Sequence, residues 1–275
     1  MIFTNILKEE IKYRYYLSEQ HEMTYSHAHS NFELYFCPDK RKQKSVINGN
    51  EYTYDFPCVI ISNPYTIHSM SSAEEGIYNR IVVHFGEHTL SQFGDSISHR
   101  DFLTKASGYL FKLTEEQSRT LMSILANTAK KGTSVSQNER ALILMLFINK
   151  LIELCDEESI TAVGTSDMYI QEVLKYIIEN ISSDLNTSDI AAHFAVSRSK
   201  LDRDFIRVSG YPTHTFIESY RLNRAKELLT LSKKLSIGEI SEMCGFKSNT
   251  YFYSFFRKHT GMTPLKYRKS VSEKK

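Results

Sequence analysis

Leu235 to Tyr267 reads LSIGEISEMCGFKSNTYFYSFFRKHTGMTPLKY, and some fifty residues earlier Leu185 to Ile217 reads LNTSDIAAHFAVSRSKLDRDFIRVSGYPTHTFI. The two stretches are one device repeated. Ile190 answers to Ile240, Val196 to Phe246, Leu201 to Phe252, Phe205 to Phe256 and Gly210 to Gly261, so the offset drifts from 50 to 51 and one residue is gained in the second turn. Each copy predicts a short helix, a tight turn, a second helix and a glycine stop. That is the sequence form of a helix-turn-helix, whose second helix lies in a DNA major groove.

In the second copy Ser236 and Glu239 have capping-box spacing. Ile237, Ile240 and Met243 fall on one face, and Gly245 supplies a left-handed turn. Ser248 or Asn249 caps the next helix, whose inner side is Phe252, Phe255 and Phe256. Its outer side carries Ser248, Asn249, Thr250, Tyr253, Ser254, Arg257 and Lys258. In the first copy Asn186 or Thr187 caps the first helix, Ser197 or Ser199 the second. Leu201, Phe205 and Val208 face inward, leaving Arg198, Ser199, Lys200, Asp202, Arg203 and Arg207 outside. Carboxylates repel phosphate, so Asp202 either accepts from cytosine N4 or pairs with a neighbouring Arg. These thirteen outer residues are the expected DNA contacts, Arg203 reading a base and Arg257 and Lys258 touching phosphate. A long helical pattern, Thr213 to Leu231, sets the spacing of the two readers.

The chain resembles the AraC family of bacterial transcription regulators from about Met168 to Arg268. The resemblance rests on I-x-E-I-S-x-x-C-G-F at Ile237 to Phe246, Y-F-Y-x-F-F-R-K at Tyr251 to Lys258, G-M-T-P-x-x-Y-R at Gly261 to Arg268, and the linker stretch Arg221 to Leu229. It implies two helix-turn-helix modules on a connecting helix, reading adjacent major-groove segments of a promoter. Tyr253 and Ser254 stand where the family often has Ser and Arg, and Asp204 where an apolar residue is usual, which bears on the target sequence.

Charge follows the same division. Ser166 to Lys275 holds 18 Lys/Arg against 12 Asp/Glu, and the first 165 residues hold 16 against 20. The basic half suits a polyanion. At 275 residues two domains are expected. There is no run of 18 apolar residues and no basic-then-apolar leader pattern, so we expect neither a membrane span nor a signal peptide. Cysteines 37, 58, 155 and 244 have no metal or disulfide spacing, which fits a cytoplasmic protein.

The first half has another texture. Phe32 to Phe36, Ser45 to Ile47, Glu51 to Tyr54, Cys58 to Ser62 and Tyr78 to Phe85 read as strands, with a type I′ hairpin at Asn48-Gly49. Short strands at this spacing predict a small antiparallel barrel or jelly roll. Within it, His27, His29 and Glu33 share strand parity, with His68 further on. Two imidazoles, a carboxylate and a distant His either line a polar pocket or hold a divalent metal. The pattern H-x-H-x-x-x-E, then a later His, is similar to the cupin barrel over roughly Met23 to Phe85, though most of that family's glycines are missing. In the AraC family such barrels sense effectors. We expect an effector site at His27, His29, Glu33, Tyr35 and His68, with no metal and no other cofactor. His84, among Ile81, Val82, Val83 and Phe85, reads as a hydrogen-bonded core residue.

Two helices follow. Glu115 to Lys131 places Leu121, Ile124, Leu125 and Thr128 on one side, and Asn138 to Cys155 is apolar on nearly every face. The second needs burial from several directions, against its own barrel or a second protomer. The AraC resemblance favours the protomer seam. Asp156 to Ser166 lacks a period and reads as the interdomain linker.

The expected architecture is a two-domain α+β chain: residues 1–157, a cupin-like effector-binding and dimerisation domain of a small antiparallel β-barrel plus two helices, and residues 166–275, an all-α double helix-turn-helix domain. The expected function is a dimeric, sequence-specific transcription regulator, an activator, and not an enzyme. Its expected partners are double-stranded DNA, a small polar effector such as a sugar, a second copy of itself and RNA polymerase. The alternative is a metal-dependent cupin enzyme fused to a DNA-binding module.

Overall fold

Asn48 and Gly49 both adopt positive φ, 47° and 81°, as a two-residue type I′ turn demands. The turn joins β3 (Gln43–Ile47) to β4 (Asn50–Tyr54), with Ile47 opposite Asn50. The computed structural model describes residues 11–19, 26–72, 74, 76–86, 89, 108–131, 135–164, 167–232 and 234–273. Contacts divide the chain into two compact units, Met1–Gln171 and Glu172–Lys275.

The first unit holds two antiparallel sheets. One contains β1 (Lys12–Glu19), β2 (Phe32–Cys37), β5 (Cys58–Ser62), β7 (Ile77–Phe85), β8 (Gly108–Lys112) and β9 (Ile160–Ala162), in the order β1-β7-β2-β5-β8-β9. The other contains β3, β4 and β6 (His68–Ser72), in the order β4-β3-β6. Every residue of β2 and β5 is buried, because both faces of the larger sheet are covered. Leu34, Phe36, Ile61, Val83 and Phe111 pack toward α1 (Glu115–Lys131) and α2 (Gln137–Leu154), meeting Leu121, Leu144, Phe147 and Leu151. Tyr35, Cys58, Ile60 and Val82 turn the other way and meet Ile47, Tyr54 and Met70 of the smaller sheet. The period of two thus separates a dry helix-facing core from an inner face that also carries polar side chains.

Helix α2 starts at the N-cap Ser136, which accepts from the Glu139 amide. Arg140, buried in its first turn, donates to the carbonyls of Val135 (3.1 Å) and Ile11 (3.2 Å), and Tyr13 donates to the Arg140 carbonyl (2.8 Å). These bonds moor the helix to the start of β1. One side of α2 is buried by its own unit, yet Leu142 and Leu146, one turn apart, stay 62% and 57% exposed. The side chain of Thr128 on α1 lies outside the described residues.

The stretch expected as a linker needs correcting. Asp156 caps a short 3-10 turn, Glu157–Ser159, and β9 then pairs with β8, Tyr109 opposite Ala162. The Gly164 amide donates to the Tyr52 hydroxyl (2.9 Å). A three-residue strand with two exposed positions has no period to detect. Strands β6 and β8 were likewise not expected: His68–Ser72 is a polar run, and Gly108–Lys112 begins with the residue type least suited to a strand.

The helix α3 (Met168–Glu179), whose first four residues belong to the first unit, leads in the second unit to two helical pairs, α4 (Thr187–His193) with α5 (Arg198–Ser209), and α7 (Ile237–Met243) with α8 (Asn249–Thr260). Between the pairs runs α6 (Thr213–Leu231), and α9 (Pro264–Glu273) follows the second. Asn186, Ser197, Ser236 and Ser248 are the N-caps, each accepting from the amide three residues on, and Ser236 with Glu239 forms a complete capping box. Gly210 (φ 79°) and Gly261 (φ 73°) end α5 and α8 in the left-handed region.

Candidate nucleic-acid interface and polar ligand site

On α5 the buried side is Leu201, Phe205 and Val208; on α8 it is Phe252, Phe255 and Phe256. This anchoring turns Arg198, Ser199, Arg203 and Arg207 outward on α5, and Asn249, Thr250, Tyr253, Ser254, Arg257 and Lys258 outward on α8; all ten are exposed. Three of the expected contacts also have partners within the unit. Asp202 accepts from the Thr213 amide (3.1 Å), so it holds the start of α6, and Arg198 lies a loose 3.8 Å from its other oxygen. Lys200 pairs with Asp204 at 2.5 Å. Ser248 spends its hydroxyl capping α8. Asp202 and Asp204 are thereby directed to partners within the unit, while Arg203 in the middle of α5 and Arg207 in its last turn are exposed. The turn of the second pair is tight. Gly245, at φ 80°, lies beneath Arg221, which donates to the carbonyls of Ile181 (3.3 and 3.2 Å) and Ser183 (2.9 Å).

In the first unit the strand register assembles a second site. Glu33 on β2 lies opposite His84 on β7 and Ser62 on β5. His27 exchanges backbone hydrogen bonds with His68 (2.9 and 2.8 Å), which brings the approach to β2 against the smaller sheet. One oxygen of the Glu33 carboxylate lies 2.8 Å from His84 Nε2 and 3.2 Å from His29 Nε2, and His68 Nε2 faces its other oxygen at 3.3 Å. Glu33 and His68 are buried, while His27, His29 and His84 are partly open to solvent.

Four of the five expected effector residues therefore converge. Tyr35 shares their strand face, but its hydroxyl donates to Gln43 Oε1 (3.4 Å) rather than joining the imidazoles. His84 is hydrogen-bonded as expected, and its partner makes it a member of the site. Only the β2–β7 register reveals this.

Burial opposes charge on Glu33, His27, His29 and His68, and their mutual arrangement decides the outcome. Burial would raise the Glu33 carboxyl, but His68, His29 and His84 together hold it well below the usual carboxylate range. Burial pushes His27 far down and His29 down, helped in both by neighbouring imidazoles. For His68 burial is outweighed by Glu33 and the Thr66 carbonyl, and its pKa is raised. The site is an ionised carboxylate among imidazoles, with His68 more readily charged than His27 or His29.

The donor set also fits a divalent ion. Ligand atoms of His27, His29, Glu33 and His68 lie within 4.8 Å of one another. Nδ1 of His29 lies 2.9 Å from the Asn31 carbonyl and Nδ1 of His68 2.9 Å from the Thr66 carbonyl. A carbonyl only accepts, so Nδ1 carries the proton and, in the neutral ring, the lone pair sits on Nε2. Orientation of a ligating imidazole through its other nitrogen is usual in metal sites.

Residues 190–270 match the model of a helix-turn-helix domain. This is an AraC-family helix-turn-helix domain. The chain is 28% identical over 170 residues to the xylose operon regulatory protein of Escherichia coli K12, covering 58% of this chain and 43% of that one. It thus spans less than half the length of that relative. It is also 28% identical over 269 residues to the HTH-type transcriptional regulator YfiF of Bacillus subtilis, covering 93% of this chain and 82% of that one. In fold it is similar to ToxT of Vibrio cholerae, with a TM-score of 0.55 at 13% identity, over 94% of this chain and 98% of that one. No helix among the described residues is long and apolar enough to cross a membrane.

Proposed function

We propose that this chain is a transcription regulator that binds double-stranded DNA sequence-specifically and answers to a small ligand in its first unit. The observation that carries this reading is the pair of capped recognition helices, α5 and α8, with outward polar and cationic faces in corresponding positions. Arg203 is the base-reading side chain of the first helix. Arg257 and Lys258, near the end of the second, neutralise phosphate. Xylose and melibiose operon regulators are among the relatives, which supports regulation by a small polar molecule. Its place is the cluster of His27, His29, Glu33, His68 and His84. Leu142 and Leu146 support a twofold α2–α2 seam, in which the same patch on each protomer meets itself. Activation through RNA polymerase in the cytoplasm completes the proposal.

The test is selection of genomic fragments by the full chain, followed by titration with salt. Six to ten phosphate contacts would cost about 10³–10⁵ in affinity between 50 and 200 mM salt. A folded protein that prefers no fragment over random DNA at low salt would refute the reading.

A second reading of the polar cluster rests on its donor set: the effector is itself a divalent transition metal, held by His27, His29, Glu33 and His68. Such an ion would supply positive charge where Glu33 and the imidazoles now satisfy one another. Calorimetric titration with Zn²⁺ and Co²⁺ separates the two readings. One tight site lost in both His29→Ala and Glu33→Gln supports the metal, and no heat with either ion leaves the cluster to an organic ligand.

A further inference from the structure

We propose that Ile206 reads thymine, packing its side chain on the C5-methyl group of that base in the first half of the bound site; this rests on the DNA-binding reading above. Ile206 is 49% exposed, the one large apolar residue exposed on α5. Successive helical residues are about 100° apart, so Ile206 lies about 140° from Leu201, on the solvent side. It is three residues from Arg203 and seven from Ser199, and such residues share one face. The helix is intact at this point, because the Ile206 carbonyl accepts the Gly210 amide at 2.9 Å. The side chain is therefore held at a set angle beside Arg203. Asp202, on the flank of this face, is turned away to Thr213. What α5 offers a groove is thus Ser199, Arg203 and Ile206, with Arg207 alongside.

The chemistry of the groove narrows the partner. Phosphates and sugars are polar, and base edges in the major groove carry donors and acceptors with one apolar exception, the thymine methyl. The flanking arginines draw the face toward phosphate, so the exposed isoleucine is carried into the groove with them. By the offset of 51 that relates Leu201 to Phe252, Ile206 corresponds to Arg257 on α8. The two readers differ here in kind, one apolar and one cationic. A thymine requirement at this point belongs to the first half of the site and not to the second.

Deoxyuridine differs from thymidine only by the methyl group, and this makes the test sharp. With the full chain and a selected genomic fragment, each thymine in the site is replaced singly by deoxyuridine and affinity is measured. The wild type should lose about fourfold at one or two adjacent positions, the factor that burying one methyl is worth. Ile206→Ala should lose a similar factor on the unmodified fragment and show no further loss at those positions. Its melting temperature should match the wild type, because the position is exposed. A fragment on which both proteins show the same deoxyuridine sensitivities overturns the Ile206 assignment and leaves the regulator reading standing. Failure to select any fragment overturns both.

Discussion

Replacing Gly245 by alanine should unfold the second unit far more readily, and the structure says by how much. A Cβ on Gly245 would stand 2.1 Å from the Ile181 carbonyl oxygen and 2.9 Å from Nε and Nη2 of Arg221. The guanidinium is the end of a flexible side chain and can move. The carbonyl is backbone and cannot give way without taking the chain after α3 with it. Moving either breaks the bonds that Arg221 makes to Ile181 and Ser183. The left-handed backbone adds about 1–2 kcal/mol for a residue with a Cβ. Loss of one hydrogen bond to a charged group adds about 1.5–3 kcal/mol, toward the lower end here because Arg221 is half-exposed. The stiffer unfolded chain offsets about 0.4–1 kcal/mol. The net loss is about 2–4 kcal/mol, or roughly 10–25 °C in melting temperature for a unit of this size. Ala195 occupies the matching turn of the first copy at φ 53°, and Ala195→Gly should be close to neutral. Thermal melts of the full chain, with hydrogen exchange in peptides from residues 172–275, measure both. Unchanged exchange and melting in Gly245→Ala would show that the turn relaxes freely and that the close approach carries no weight.

Arg203→Ala should relax preference at one or two adjacent base pairs, by about 1–3 kcal/mol of discrimination; equal weakening on all sequences, read by selection from a randomised site, would make Arg203 a phosphate contact. Asp202→Ala removes the acceptor of the Thr213 amide and should cost about 1 kcal/mol in urea unfolding while leaving base preferences unchanged; altered preferences would restore it to the interface. Leu142→Asp with Leu146→Asp should convert a dimer to a folded monomer in analytical ultracentrifugation, and a wild type that is already monomeric would remove the α2 seam.

The tandem reader was legible in the sequence because its signals are local. A serine or asparagine cap closes on an amide three residues away, a left-handed glycine stops the helix it follows, and Asn48-Gly49 makes its own turn. Ser197, Ser236, Ser248, Gly210 and Gly261 therefore announce the helices they bound, and Leu201 with Phe205, or Phe252 with Phe256, shows which side is buried. Parity grouped His27, His29 and Glu33 on one expected continuous strand, but β2 begins only at Phe32, and His27 is brought in by its backbone pairing with His68. The tertiary structure decided whatever depends on groups far apart in the chain. Strand register, which no local signal sets, places His84 against Glu33 across fifty-one residues and puts Ile160–Ala162 at a sheet edge. Asp202 left a base contact and an Arg partner both open in the sequence; the partner that α6 brings to it is the Thr213 amide. Gly245 read as a turn glycine for its positive φ; that it also needs an absent side chain follows only from the Ile181 carbonyl, sixty-four residues before it, standing where a Cβ would be.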